Sequence, residues 1–184
     1  MADWNTAYNW MMDNEDAARA YKTVPDACPD GVEGLCHVVS GINSGAFPKE
    51  FAAIAALPNS SRGNLVEEFY LENFWNCRRA TYGSWYAQLA SDEVAKRVFD
   101  MAVNGGAGTA VKILQEAVNV LLAVDHLEIA CDRQWGPQTI KAANQCSGLV
   151  PAFRAQRIAH YKAVVAADPS KAKYLDAWIA RAMK

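Results

Sequence analysis

The sequence predicts a mainly α fold. Three observations carry this: alanine-rich stretches with apolar residues at i, i+3, i+4 and i+7, capping residues at their starts, and strand patterns that stay short and weak. With 184 residues, 52% hydrophobic and 21% charged, the chain can bury a substantial core as one domain or as two small packed ones. A net charge of −2 with scattered Arg and Lys gives no basic field for nucleic acid.

The first helix is predicted from Trp4, Ala7, Tyr8, Met11, Met12 and Ala18 on one face, with Asp3 as N-cap. Pro25 disfavours helix before it, so the helix should end near Tyr21 to Thr23. Glu15 falls on the apolar stripe, where a carboxylate is either paired, for example with Arg97, or lines a cleft that makes use of a raised pKa. The stretch "VPDACPDGVEGLCHVVSGINSGAFP" then reads as a long irregular excursion, with one short hairpin around "LCHVVSGI".

"PKEFAAIAAL" is a short helix with Pro48 in its first turn and Pro58 beyond its end. "SSRGNLVEEFYLENFWNC" starts another, with Leu65, Phe69 and Tyr70 on one face, and "RRATYGSW" breaks the pattern. "SDEVAKRVFDMAVNGG" is a helix capped by Ser91 that stops at Gly105 and Gly106, and "AGTAVKILQEAVNVLLA" follows it. After the polar and aromatic stretch "CDRQWGPQTIKAANQC" come two last helices, Leu149 to Ala167 and Ser170 to Met183.

The five cysteines form no CxxC and have no histidine at metal spacing, so no metal site is expected. Cys28 and Cys36 lie close enough in the loop for a local bridge, which would mean an oxidising place of action; free thiols in a cytosolic protein are the alternative. Neither a Sec signal nor a membrane span is expected, since no apolar run reaches the required length.

An acid on the first helix (Glu15), a long loop closing on Gly41 and Ile42, the aromatic pair Tyr70 and Trp75, Asp100-x-x-x-Asn104, the pair Leu114–Gln115 and a Gly136-Pro137-x-Thr139 turn follow one another in an order that resembles bacterial and phage peptidoglycan muramidases of glycoside hydrolase family 108. Glu15 matches the family's catalytic acid, with Asp16 and Ala17 in place of the Gly-Gly that follows it; Gly41 and Ile42 match the end of its loop motif, where Leu35, Cys36 and Val38 replace Gly, Gly and Thr. Tyr70 and Trp75 match its aromatic pair, Asp100 and Asn104 its D-x-x-x-N, Leu114 and Gln115 its Leu-Gln pair, and Gly136, Pro137 and Thr139 its Gly-Pro-x-Thr turn. "CRRATYGSW" looks like an insertion. Loss of the two glycines predicts that the backbone stays helical for longer after the acid.

The resemblance implies a lysozyme-like helical catalytic domain over residues 1–105, packed on a helical peptidoglycan-binding-like domain over 106–184. It implies cleavage of the β-1,4 glycan backbone of cell walls, with Glu15 as general acid and no cofactor. Asp26, Asp30 and Glu33 are candidates for a second carboxylate, and Ser40 or Asn43 for holding a water. Tyr70, Trp75, Trp85 and Trp135 are candidate faces for sugar rings, although aromatics at helical spacing are more often core, with Trp135 the exception. Asn104 either contacts substrate or caps its helix, while His37, His126 and His160 read as structural or surface residues.

The competing readings are an N-acetylglucosaminidase acting on the same strands, a catalytically inactive cell-wall-binding module, and an intracellular interaction protein. Made in the cytoplasm without a signal peptide, a wall hydrolase would reach the periplasm of a target or host cell through a holin or a type VI secretion system. An antibacterial effector of that kind implies an immunity protein that blocks the cleft.

Overall fold

A computed structural model describes residues 1–29, 31–76, 85–123 and 127–184, and is mainly helical, with eight α-helices and one three-stranded antiparallel sheet among the described residues. Helix α1 (Trp4–Glu15) begins as expected, the Asp3 carboxylate accepting the Thr6 N–H at 2.8 Å. It ends earlier than the sequence predicts. Asp16 leaves helical geometry at φ −154°, and its carboxylate accepts the N–H groups of Ala20 (3.1 Å) and Tyr21 (2.8 Å). A short acidic side chain that bonds the backbone ahead of it competes with helix continuation. The replaced glycines therefore do not extend the helix; Arg19 and Tyr21 adopt the left-handed φ values of 50° and 49° instead.

The sheet runs in the order β1 (Thr23–Asp26), β2 (Cys36–Val39) and β3 (Ile42–Asn43). The expected hairpin is β2–β3; β1, which the sequence did not suggest, adds antiparallel to β2 with Thr23 opposite Val39 and Asp26 opposite Cys36. The hairpin turn is Ser40–Gly41, with φ of 46° and 83°. Two positive φ values in a two-residue turn match the right-handed twist of the strands. Cys28 and Cys36 are joined by a disulfide, Cys131 and Cys146 are free, and Cys77 lies outside the described residues.

Helix α2 (Pro48–Ala55) starts on Pro48, and α3 (Gly63–Tyr70) runs on into a π turn, Leu71–Trp75. Most of the expected insertion, residues 77–84, falls outside the described residues, as do Asp30 and His126. Helix α4 (Asp92–Gly105) is capped by Ser91 and α5 (Ala107–Leu122) follows at once, Gly106 turning the chain at φ 87°. Helix α6 (Pro137–Gln145) was missed by the sequence reading, although Gly136 and Pro137 are an ordinary helix start. Helix α7 (Leu149–Ala167) has the expected bounds. The last helix does not start at Ser170: Pro169–Tyr174 is 3-10 helix, with Asp168 accepting the Ser170 N–H, and α8 spans Leu175–Met183.

One apolar cluster includes Met11 and Met12 of α1, Val98, Phe99 and Met101 of α4, Leu114 and Val118 of α5, and Phe153 of α7. It is continuous across the expected boundary at Gly105 and Gly106, which is the corner between α4 and α5.

Reducing the Cys28–Cys36 bridge releases the loop that ties β1 to β2. From its sequence separation of 8, the Cys28→Ser/Cys36→Ser variant should lose about 2–3 kcal/mol in urea denaturation, and dithiothreitol should reproduce the loss in wild type.

Candidate active site

Glu15 is the last residue of α1, its side chain 16% exposed. Three elements converge on it. Gly41 at the β2–β3 turn comes so close that an added Cβ would fall 2.5 Å from Glu15 Oε2 and 2.6 Å from the Tyr70 hydroxyl. The backbone here needs glycine both for its positive φ and for this approach. Tyr70 donates its hydroxyl to the Ser40 carbonyl at 2.7 Å, and burial, then the Glu15 charge, pushes its pKa well above the usual phenol value. From the far end of the chain, Arg181 of α8 donates from Nη2 to Glu15 Oε1 at 2.6 Å.

Glu15 is thus paired with an arginine, the alternative to an open cleft, and that arginine is Arg181 rather than Arg97, which pairs with Glu93. Arg181 is itself held by Asp100 of α4, donating from Nε (3.1 Å) and Nη2 (2.7 Å). Burial works against the Arg181 charge, but Asp100 and then Glu15 outweigh it and push its pKa up. Asp100, fully buried, also pairs with the buried Arg157 of α7 at 2.8 Å and accepts from Asn14 Nδ2 at 3.3 Å. Two carboxylates and two guanidiniums thus balance within one cluster, as buried charges require.

Ser40, expected beside substrate, is 6% exposed and gives its hydroxyl to Asp16 Oδ2 at 2.8 Å, so it braces the turn. Partial burial pushes the Asp16 carboxyl up, but the Ser40 hydroxyl, the Tyr21 and Ala20 N–H groups and Arg19 together hold it below its usual value of 3.8. Asn43 is likewise engaged, donating to Asp26 and the Ala27 carbonyl and accepting from Gly45. Asp26 and Glu33 are exposed. Asp26 stands at the opposite end of β1 from Thr23, about 10 Å along the strand from the end nearest Glu15.

The aromatic expectations are corrected by burial. Tyr70 and Trp75 are 1% and 3% exposed, and Trp75 packs among Trp4, Tyr86 and Phe99, so its ring has no face to offer a sugar. Trp135 is not the exception: it is 4% exposed, stacks on Trp85 with ring centres 5.8 Å apart, and donates its indole N–H to Gln88. Asn104 is half-buried at the end of α4 and donates to the Tyr161 hydroxyl at 2.7 Å. The Leu-Gln and Gly-Pro-x-Thr motifs meet, Gln115 donating to Thr139 at 3.1 Å and to Asp132 at 2.8 Å. Of the expected site residues, Glu15, Ser40 and Tyr70 come together; Trp75, Asn104 and Trp135 lie elsewhere.

The fold and this site define a mainly helical protein whose first helix delivers a carboxylate to a sheet turn and to the C-terminal helix. Residues 109–183, from α5 to α8, match a family model described as "Predicted Peptidoglycan domain". That match ties the C-terminal region to the cell wall, with peptidoglycan as partner. No curated protein and no solved structure matches the chain.

Two variants probe this cluster. Asp100→Asn leaves Arg157 buried without its counter-charge and should cost about 3–5 kcal/mol in denaturant unfolding. Because the Asp16 pKa is depressed on folding, its contribution is full above the unfolded value of 3.8 and is lost as pH falls through the folded one. The stability gap between wild type and Asp16→Asn should therefore shrink as pH is lowered below the unfolded value of 3.8.

Proposed function

We propose that the chain is a peptidoglycan glycoside hydrolase of the muramidase type, with Glu15 as general acid. The observation that carries this reading is the convergence on Glu15: a carboxylate at a helix end meets a glycine turn of the sheet on one side and, through Arg181, the region matching the peptidoglycan domain on the other. A glycosidase acid must hand its proton to the leaving glycosidic oxygen as the bond to the anomeric carbon breaks. Arg181 can release Glu15 and still keep its bonds to Asp100, since both Nε and Nη2 donate there. Departure of that one bond would open the carboxyl to substrate without unpairing the arginine.

A second reading, a cell-wall-binding module without catalysis, is favoured by a specific observation: the Glu15 carboxylate is closed by its ion pair to Arg181, with its side chain only 16% exposed. Delivery of the hydrolase to a periplasm by a secretion system or holin, with an immunity protein covering the Glu15 surface, belongs to the first reading. Toxicity confined to chains directed to the periplasm supports it, and equal toxicity in the cytoplasm counts against it.

Turbidity of purified sacculi separates the two. Wild type should clear them, and Glu15→Gln should slow clearing by about 100-fold or more. If the variant clears sacculi as fast as wild type the acid is misassigned, and if wild type binds without clearing them the second reading holds. A muramic acid reducing end on the fragments, read by mass spectrometry, distinguishes the muramidase from an N-acetylglucosaminidase.

A further inference from the structure

The junction of α7 and α8 carries a cavity of about 290 Å³ between α4, α7, the Pro169–Tyr174 turn and α8. Three aromatic rings line it together. Tyr161 and Trp178 have ring centres 5.2 Å apart at 28°, and Tyr174 and Trp178 5.7 Å apart at 29°. The series runs from the core to solvent: Tyr161 is 3% exposed, Trp178 half-buried and Tyr174 45% exposed.

Polar groups stand around these rings. The Tyr161 hydroxyl is fixed by Arg157 Nε (2.8 Å) and by Asn104 Nδ2 (2.7 Å), which orients the Asn104 amide at the cavity edge with its oxygen in no hydrogen bond with the described residues. Burial lowers the His160 pKa, so the imidazole on this wall is neutral near pH 7. Lys171 supplies a cation whose own ion pair, to Asp168 at 3.5 Å, is long and half exposed.

We infer that this cavity binds an N-acetylated amino sugar of the peptidoglycan strand, the exposed rims of the stacked Tyr174 and Trp178 rings lying against the C–H groups of the pyranose, Asn104 accepting from the acetamido N–H, and Lys171 meeting the lactyl carboxylate of a muramic acid unit. A sugar ring offers axial C–H groups on one side and donors and acceptors at its rim, which suits an apolar aromatic wall with a few placed polar groups, the arrangement that small-molecule sites use. The occupant follows from the region itself: Tyr161, Lys171, Tyr174 and Trp178 all fall within the residues that match the peptidoglycan family model. The inference rests on the cell-wall reading but not on catalysis by Glu15.

Nuclear magnetic resonance titration of the full chain with the disaccharide of N-acetylglucosamine and N-acetylmuramic acid tests it, with the Trp178 indole N–H as reporter. Tyr174→Ala, which removes an exposed ring and leaves the core intact, should weaken binding at least tenfold, and Trp178→Ala should do the same by the other resonances. Lys171→Ala should weaken this ligand several-fold while leaving chitobiose, which has no carboxylate, unchanged. Wild-type affinity in folded Tyr174→Ala overturns the site. Undiminished clearing of sacculi by Glu15→Gln would instead overturn only the catalytic assignment.

Discussion

Asp100 is the constraint on which the rest depends. It is fully buried on α4, yet it meets Arg157 from α7, Arg181 from α8 and Asn14 from α1, so the helix that carries the candidate acid and both C-terminal helices are registered against one carboxylate. Taking such a charge out of water is expensive, and the expense is offset only while each guanidinium stays in place. Glu15 completes the balance, because Arg181 divides its charge between Asp100 and Glu15. The position of the acid at the end of α1 is thereby fixed from the opposite end of the chain.

The turn after Glu15 solves a second problem. A catalytic or recognition carboxylate at a helix end needs the chain to leave sharply, which glycine makes easy. Here Asp16 does so with a side chain, gathering the N–H groups of Ala20 and Tyr21 and the Ser40 hydroxyl, and so joins the turn after the helix to the β2–β3 turn. Strain at Arg19 and Tyr21 accompanies this solution, and Arg19 is tied by bonds to the Asp16 and Asn9 carbonyls and to Asp13.

Three helix starts are legible in the sequence because capping is local, with Asp3, Pro48 and Ser91 each acting within a few residues, whereas the starts of α6 and α8 are not. The end of α1 was not legible, since Pro25 suggested a stop by backbone sterics while Asp16 imposed an earlier one through hydrogen bonds. Periodicity placed Glu15 on the inward face, but the arginine that meets it is 166 residues away, a separation no spacing rule reaches. The same limit applies to Trp75 and Trp135: a pattern says that a ring points inward, whereas Trp4, Phe99, Tyr86 and Trp85 decide that nothing but protein touches it. Tyr174 and Trp178 did carry a readable signal, aromatic residues four apart ahead of Arg181, although Tyr174 closes the turn before α8 and only Trp178 lies on the helix.

Glu15 and Asn104, two residues singled out from sequence, do not touch, yet an unbroken polar path joins them. Arg181 bonds Glu15 and Asp100, Arg157 forms an ion pair with Asp100 and bonds the Tyr161 hydroxyl, and that hydroxyl accepts from Asn104. Trp178 and Arg181 sit three residues apart on α8, so one short helix holds both a ring of the aromatic cavity and the cation that closes Glu15. Any movement of α8 that widens the cavity must also act on Arg181, because a helix shifts as a rigid unit while its side chains keep their spacing. The acid at the start of the chain and the cavity at its end are in this sense one device, joined by the charge balance around Asp100.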